Sequence, residues 1–176
     1  MTYITRFIKQ DTIQLNYHQI YLTSFHIDNL RSHVDENTIN KFIASKFFTY
    51  DCLPEIIKTN CDISINYLNP AFNHTRIQFQ DFKYFSKAGL IQYIEDYSNN
   101  DEWGDDRADF KEVWSGLRKI IQEDEYADNF YLLNLDWFTE DDIKLNPGNE
   151  IYGYYLLIFW TNRHENKSTV CSWYFD

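Results

Sequence analysis

Glycine is scarce in this chain, five in 176 residues, and the scarcity narrows the chemistry available. Phosphate-cradling loops, dinucleotide-binding turns and the elbow that presents a nucleophilic serine all need glycine at fixed offsets, where the backbone turns sharply or lies against a ligand. None of these motifs is present, and there is no His-Glu-x-x-His helix. Cysteine is scarce too. Cys52, Cys61 and Cys171 form no close-spaced pair, which excludes a dense disulfide framework and suits reduced thiols in a cytoplasm. The longest apolar run, "YGYYLLIFW" at 152–160, is too short to span a bilayer. The first residues, "MTYITRFIKQD", alternate polar and apolar groups without the sustained apolar stretch of a secretory signal. The expectation is a cytoplasmic protein with no membrane association.

Aromatic residues, by contrast, make up 19% of the chain, and charged residues an ordinary 24%. The low hydrophobicity that marks disorder is therefore absent, and the length suits one folding unit, 1–176, with its own core. Asn, Ile, Tyr, Phe, Lys and Asp are abundant while Ala, Gly and Pro are few, the usage expected of an AT-rich gene.

Hydrophobic periodicity predicts α+β structure: a mainly antiparallel sheet with a C-terminal three-strand meander, packed against three to four helices. Residues 3–25 hold short alternating stretches without clear bounds. "DENTINKFIASKFF" spaces Ile39, Phe42, Ile43 and Phe47 as a helix does, with Asp35 as its cap, and Pro54 opens a second short helix. Residues 62–69 and 75–85 alternate with period two and read as a strand pair. Ser86 caps the next helix, whose apolar side carries Leu90, Ile91, Ile94 and Tyr97. The clearest helix follows, with Phe110, Val113, Trp114, Leu117, Ile120 and Ile121 on one side and Asp109, Glu112, Ser115, Gly116 and Lys119 on the other. Strands at 129–138, 151–161 and 168–175 complete the chain, the middle one apolar on both alternating sets and so central in the sheet.

The charge is unevenly placed. Of the formal −11, residues 95–142 hold sixteen acids and four bases, a net of −12, while the remainder, with twelve bases and eleven acids, nets +1. Such a segment repels nucleic-acid phosphates and anionic lipid and draws in cationic partners. Its core is "NNDEWGDDRAD" at 99–109. With Gly104 at the sixth position of an EF-hand loop, Trp103 falls at the fifth and Phe110 at the twelfth, where calcium needs oxygen. Asp105 or Asp106 is better read as a helix cap, with Asp109 in the first turn beside free amides. Trp103 either folds onto the core or stands out as a docking anchor.

No cofactor or metal is expected. Cys52, Cys61 and His74 lack the close ligand pairs of structural zinc, and His18, His26, His33, His74 and His164 form no local catalytic signature with a cysteine.

In size, charge and composition the chain resembles bacterial immunity proteins of the contact-dependent growth inhibition type. The resemblance implies no enzymatic activity and tight binding to a cognate toxin, often a basic nuclease domain. The expected partner is therefore such a toxin or another basic protein, met by Asp101, Glu102, Trp103, Asp105, Asp106, Asp109, Glu112, Glu123, Asp124 and Glu125. The competing expectations are an enzyme with a carboxylate or Cys/His site, and an inhibitor whose carboxylates imitate DNA phosphates.

Overall fold

In the computed structural model, which describes residues 3–28, 36–44, 71–73, 75–146 and 152–175, the alternating stretches assemble into one six-stranded antiparallel sheet. Its strands are β1 (Tyr3–Leu15), β2 (His18–Asp28), β3 (Lys83–Phe85), β4 (Ala127–Asn134), β5 (Tyr154–Asn162) and β6 (Lys167–Phe175), in spatial order β1-β2-β6-β5-β4-β3. The described helices are α1 (Glu36–Ile43), α2 (Lys87–Ser98) and α3 (Arg107–Glu123). This is the α+β architecture expected, with β4, β5 and β6 as the C-terminal meander.

All nine residues of β5 are buried, because both sheet faces are covered. Tyr155, Leu157 and Phe159 pack with α1 and with Phe72, Ile77 and Phe82. Tyr154, Leu156, Ile158 and Trp160 pack instead with the apolar sides of α2 and α3. Each fully buried side chain of this kind contributes about 1.5 to 3 kcal/mol relative to exposure, so the two-sided burial of β5 makes it the centre of the fold.

The N-terminal stretches become a long hairpin. Asn16 turns it at φ 51, a left-handed conformation that asparagine tolerates better than most side chains. Two register shifts bend β1, between Ile4 and Arg6 and between Phe7 and Lys9.

Two expectations need correction. Within 75–85 only Lys83–Phe85 is strand, because Asp81 accepts from the Gln78 amide at 2.8 Å and winds Phe79–Asp81 into a 3₁₀ turn. The strand expected over 129–138 stops at Asn134, whose side chain accepts from the Asp136 amide at 3.0 Å and starts the 3₁₀ turn Leu135–Trp137. Short polar side chains compete with the ladder for backbone amides in both places. Asp35, Phe47, the short helix at Pro54 and the strand at 62–69 lie outside the described residues.

Candidate functional site

The acidic segment is carried mainly by α3 and the turns around it. Phe110, Val113, Trp114, Leu117 and Ile121 face the sheet, which fixes the helix rotation and sorts its charges between two flanks. On one flank, Asp109 accepts from Asn16 of the hairpin, and Gly116 lies beside Ile13 of β1. On the other, Arg118 pairs with Glu95 of α2 at 2.6 Å and Arg107 donates to the Asn100 carbonyl at 2.9 Å. Asp105, Asp106, Glu112 and Glu123 remain exposed to solvent. Glu123 has Lys119 at 3.8 Å, an open pair of little energetic weight.

The stretch 101–106 is a pair of 3₁₀ turns broken at Gly104, whose φ of 52 is in the left-handed region that favours glycine. Asp106 occupies the cap position of α3, but its backbone is helical and its side chain makes no capping bond. The chain enters α3 directly from the preceding turn, so the carboxylate acts there only through its charge. Trp103 folds inward. Its indole Nε1 donates to the Tyr97 carbonyl at 2.8 Å, and its ring lies 4.6 Å from Phe110 and 4.9 Å from Tyr154. The two residues that an EF-hand reading would place at ligand positions thus pack on one another. The side chains of Asp101 and Glu102 lie outside the described residues.

Asp124 is also turned inward, contrary to its grouping with the exposed acids. Its carboxylate accepts from Asn162 Nδ2 at 2.6 Å and Trp160 Nε1 at 3.5 Å, with Lys167 Nζ at 3.7 Å. Its carbonyl, at the C-terminal end of α3, accepts from Lys87 Nζ at 2.7 Å, so a lysine from α2 supplies the cation that a helix C-terminus favours. Asp128 is similarly occupied by Arg163 Nε at 3.0 Å and Thr161 Oγ1 at 3.1 Å. These acids tie strands and helices together. Around α3 the exposed acids are Asp105, Asp106 and Glu112 by its first half and Glu123 and Glu125 at its far end; Asp96, Asp136, Glu140 and Asp141 are exposed elsewhere in the segment.

His18 and Tyr97 each bond to a polar group far away in sequence. His18, at the start of β2, is fully buried, with Nδ1 2.6 Å from the Tyr154 hydroxyl and its ring 4.8 Å from Phe175. Burial pushes its pKa below the ordinary histidine value, opposed in part by Asp109 and Asp106. Tyr97 donates to Asp136 at 2.5 Å, and burial, with the negative charge of Asp136, pushes the Tyr97 phenol well above its usual range. Neither pair has a sequence signature, because 136 and 39 positions separate the partners.

Of the other expected candidates, His26 lies 3.1 Å from Asp28 and His164 stacks on Tyr126. Cys171 is buried. Cys52, Cys61, His33 and His74 lie outside the described residues. Among the described residues no group of three or more metal-ligating side chains comes together, and no helix is long and apolar enough to cross a membrane. Comparison with protein-family models, with curated proteins and with solved structures gives no match.

Proposed function

We propose that this chain is a binding protein of the immunity type, which neutralises a cognate toxin by covering a basic surface of it with acids of residues 95–142. The observation that carries the reading is the charge: a net −12 in that segment, of which Asp105, Asp106, Glu112, Glu123 and Glu125 stand exposed around α3. Like charges gathered this way destabilise a folded chain by mutual repulsion. They lower the energy of an approaching cationic surface, which favours fast and specific encounter. A basic nuclease domain, whose substrate surface must attract phosphates, fits that field.

The test is genetic first. If a large secreted protein with a variable C-terminal domain is encoded beside this chain, that domain is expressed alone and together with it. The reading predicts growth arrest by the domain alone and recovery on co-expression, with a complex that co-purifies at low salt. Continued arrest in the presence of soluble, folded chain would overturn it.

A further inference from the structure

Where the end of α2 meets the turns at 101–106, the surface opens into a cavity of about 220 Å³ lined by Tyr97, Asn100, Trp103, Asp136 and Gly153. We propose that this cavity receives one arginine side chain of the partner protein, the guanidinium lying against Tyr97 and Trp103 and pairing with the Asp136 carboxylate. The proposal rests on the reading of the chain as a binder of a basic protein and names one site within it.

Three features support a cationic side chain as the occupant. Tyr97 and Trp103, in edge-to-face contact at 5.4 Å and 79°, both border the cavity, so part of its wall is aromatic surface of the kind that attracts a cation through the ring quadrupoles. Asp136 sits at the same opening. Among the described residues its carboxylate accepts only from the Tyr97 hydroxyl, whereas an ionised carboxylate has about four acceptor positions. Among the described residues the lining contains no lysine or arginine, and Arg107 touches it at the Asn100 carbonyl. The adjoining ring shows the contrast, since Lys83 Nζ lies 3.8 Å over Trp137.

The walls are held in advance of binding. Trp103 is anchored on the Tyr97 carbonyl, Asn100 on Arg107, and the Asp136 amide on Asn134, whose side chain in turn donates to the Tyr93 hydroxyl at 3.0 Å. Tyr93 stacks on Tyr97 at 12°. Such a site loses little freedom when filled. At about 220 Å³ it is smaller than the roughly 300 to 1,000 Å³ of sites for drug-sized ligands, which favours a side chain over a cofactor. Arginine is preferred to lysine because its planar fork stacks on rings and pairs side-on with a carboxylate.

The experiment titrates the full chain with N-acetyl-arginine amide, N-acetyl-lysine amide and the neutral N-acetyl-citrulline amide, following the Trp103 indole N–H by NMR. Expected are a saturable shift with arginine, a weaker one with lysine and none with citrulline. Asp136→Asn, which still accepts from Tyr97, should weaken arginine by about tenfold without changing the melting temperature. Trp103→Phe, followed by the Tyr97 ring signals, should weaken it severalfold. An equal response to citrulline, no saturation, or indifference to Asp136→Asn would overturn the proposal. So would free arginine binding more than about tenfold tighter than the capped amide, the mark of a small-molecule site. Arginine failing here while a basic toxin domain is still neutralised would remove this site and leave the wider reading standing. Saturable arginine binding with no neutralisation would do the reverse.

Discussion

The Nδ1 atom of His18 lies 2.6 Å from the hydroxyl of Tyr154, joining the first residue of β2 to the central strand inside an aromatic cluster. Because His18 is fully buried and its pKa is held below the ordinary value of 6.5, the unfolded chain takes up a proton before the folded one does. Stability is therefore complete above about pH 6.5 and falls as the pH drops through the folded value. Asp106 and Asp109 on α3 and its preceding turn, the charges that oppose the shift, soften the fall without reversing it. Thermal melts between about pH 7.5 and 4.5 should show a steeper acid loss in the wild type than in His18→Gln; parallel curves would contradict this account.

Trp103 belongs to the rim of the same cluster, through Phe110 and Tyr154. Trp103→Ala should lower stability by about 2 kcal/mol, less than a fully buried tryptophan because part of the ring is exposed. Denaturant unfolding gives the number; a change below about 0.5 kcal/mol would mean that the ring does not pack as described.

Gly116 lies within α3, and a Cβ added there would meet Ile13 Cδ1 at 3.6 Å, an ordinary van der Waals contact. Gly116→Ala should therefore stabilise the protein by about 0.5 to 1 kcal/mol, the helical cost of glycine being removed without a clash. Loss of stability on this substitution would mean that β1 packs more tightly on α3 than the structure shows.

The acids divide into two classes with opposite expectations. Asp124→Ala leaves Lys167, Asn162 and Trp160 without their shared acceptor, and should cost about 2 to 4 kcal/mol. Glu112→Gln and Asp105→Asn, both exposed, should stay within about 0.5 kcal/mol of wild type. Equal effects at the two kinds of position, read by chemical unfolding, would remove the distinction between structural and surface acids.

What could be read before folding was what repeats locally. The apolar stripe of α3, the Ser86 cap, which accepts from the Gly89 amide at 3.1 Å, and the two-sided burial of β5 are all written in spacing and residue type. The helix entry at Asp106 is not legible in residue type, because a cap is defined by backbone angles and Asp106 already has helical ones. Asp124 looked like its exposed neighbours Glu123 and Glu125 because its partners come from β5, β6 and α2. The pocket at Tyr97 and Asp136 was invisible for the same reason: tertiary packing, and not chain order, brings a helix end and a 3₁₀ turn together. Burial of charge is decided by the partners a fold delivers, and a linear count of acids carries no such information.

The measurement that tests the central claim most directly is the association rate with the proposed partner, a basic toxin domain, as ionic strength is varied. It compares the wild type with a variant carrying Asp105→Lys, Asp106→Lys and Glu112→Lys. The surface reading predicts a wild-type rate that falls at least about tenfold between roughly 20 mM and 300 mM salt, and a variant that folds normally yet associates slowly at every salt concentration. Equal rates for the two proteins, indifferent to salt, would contradict it.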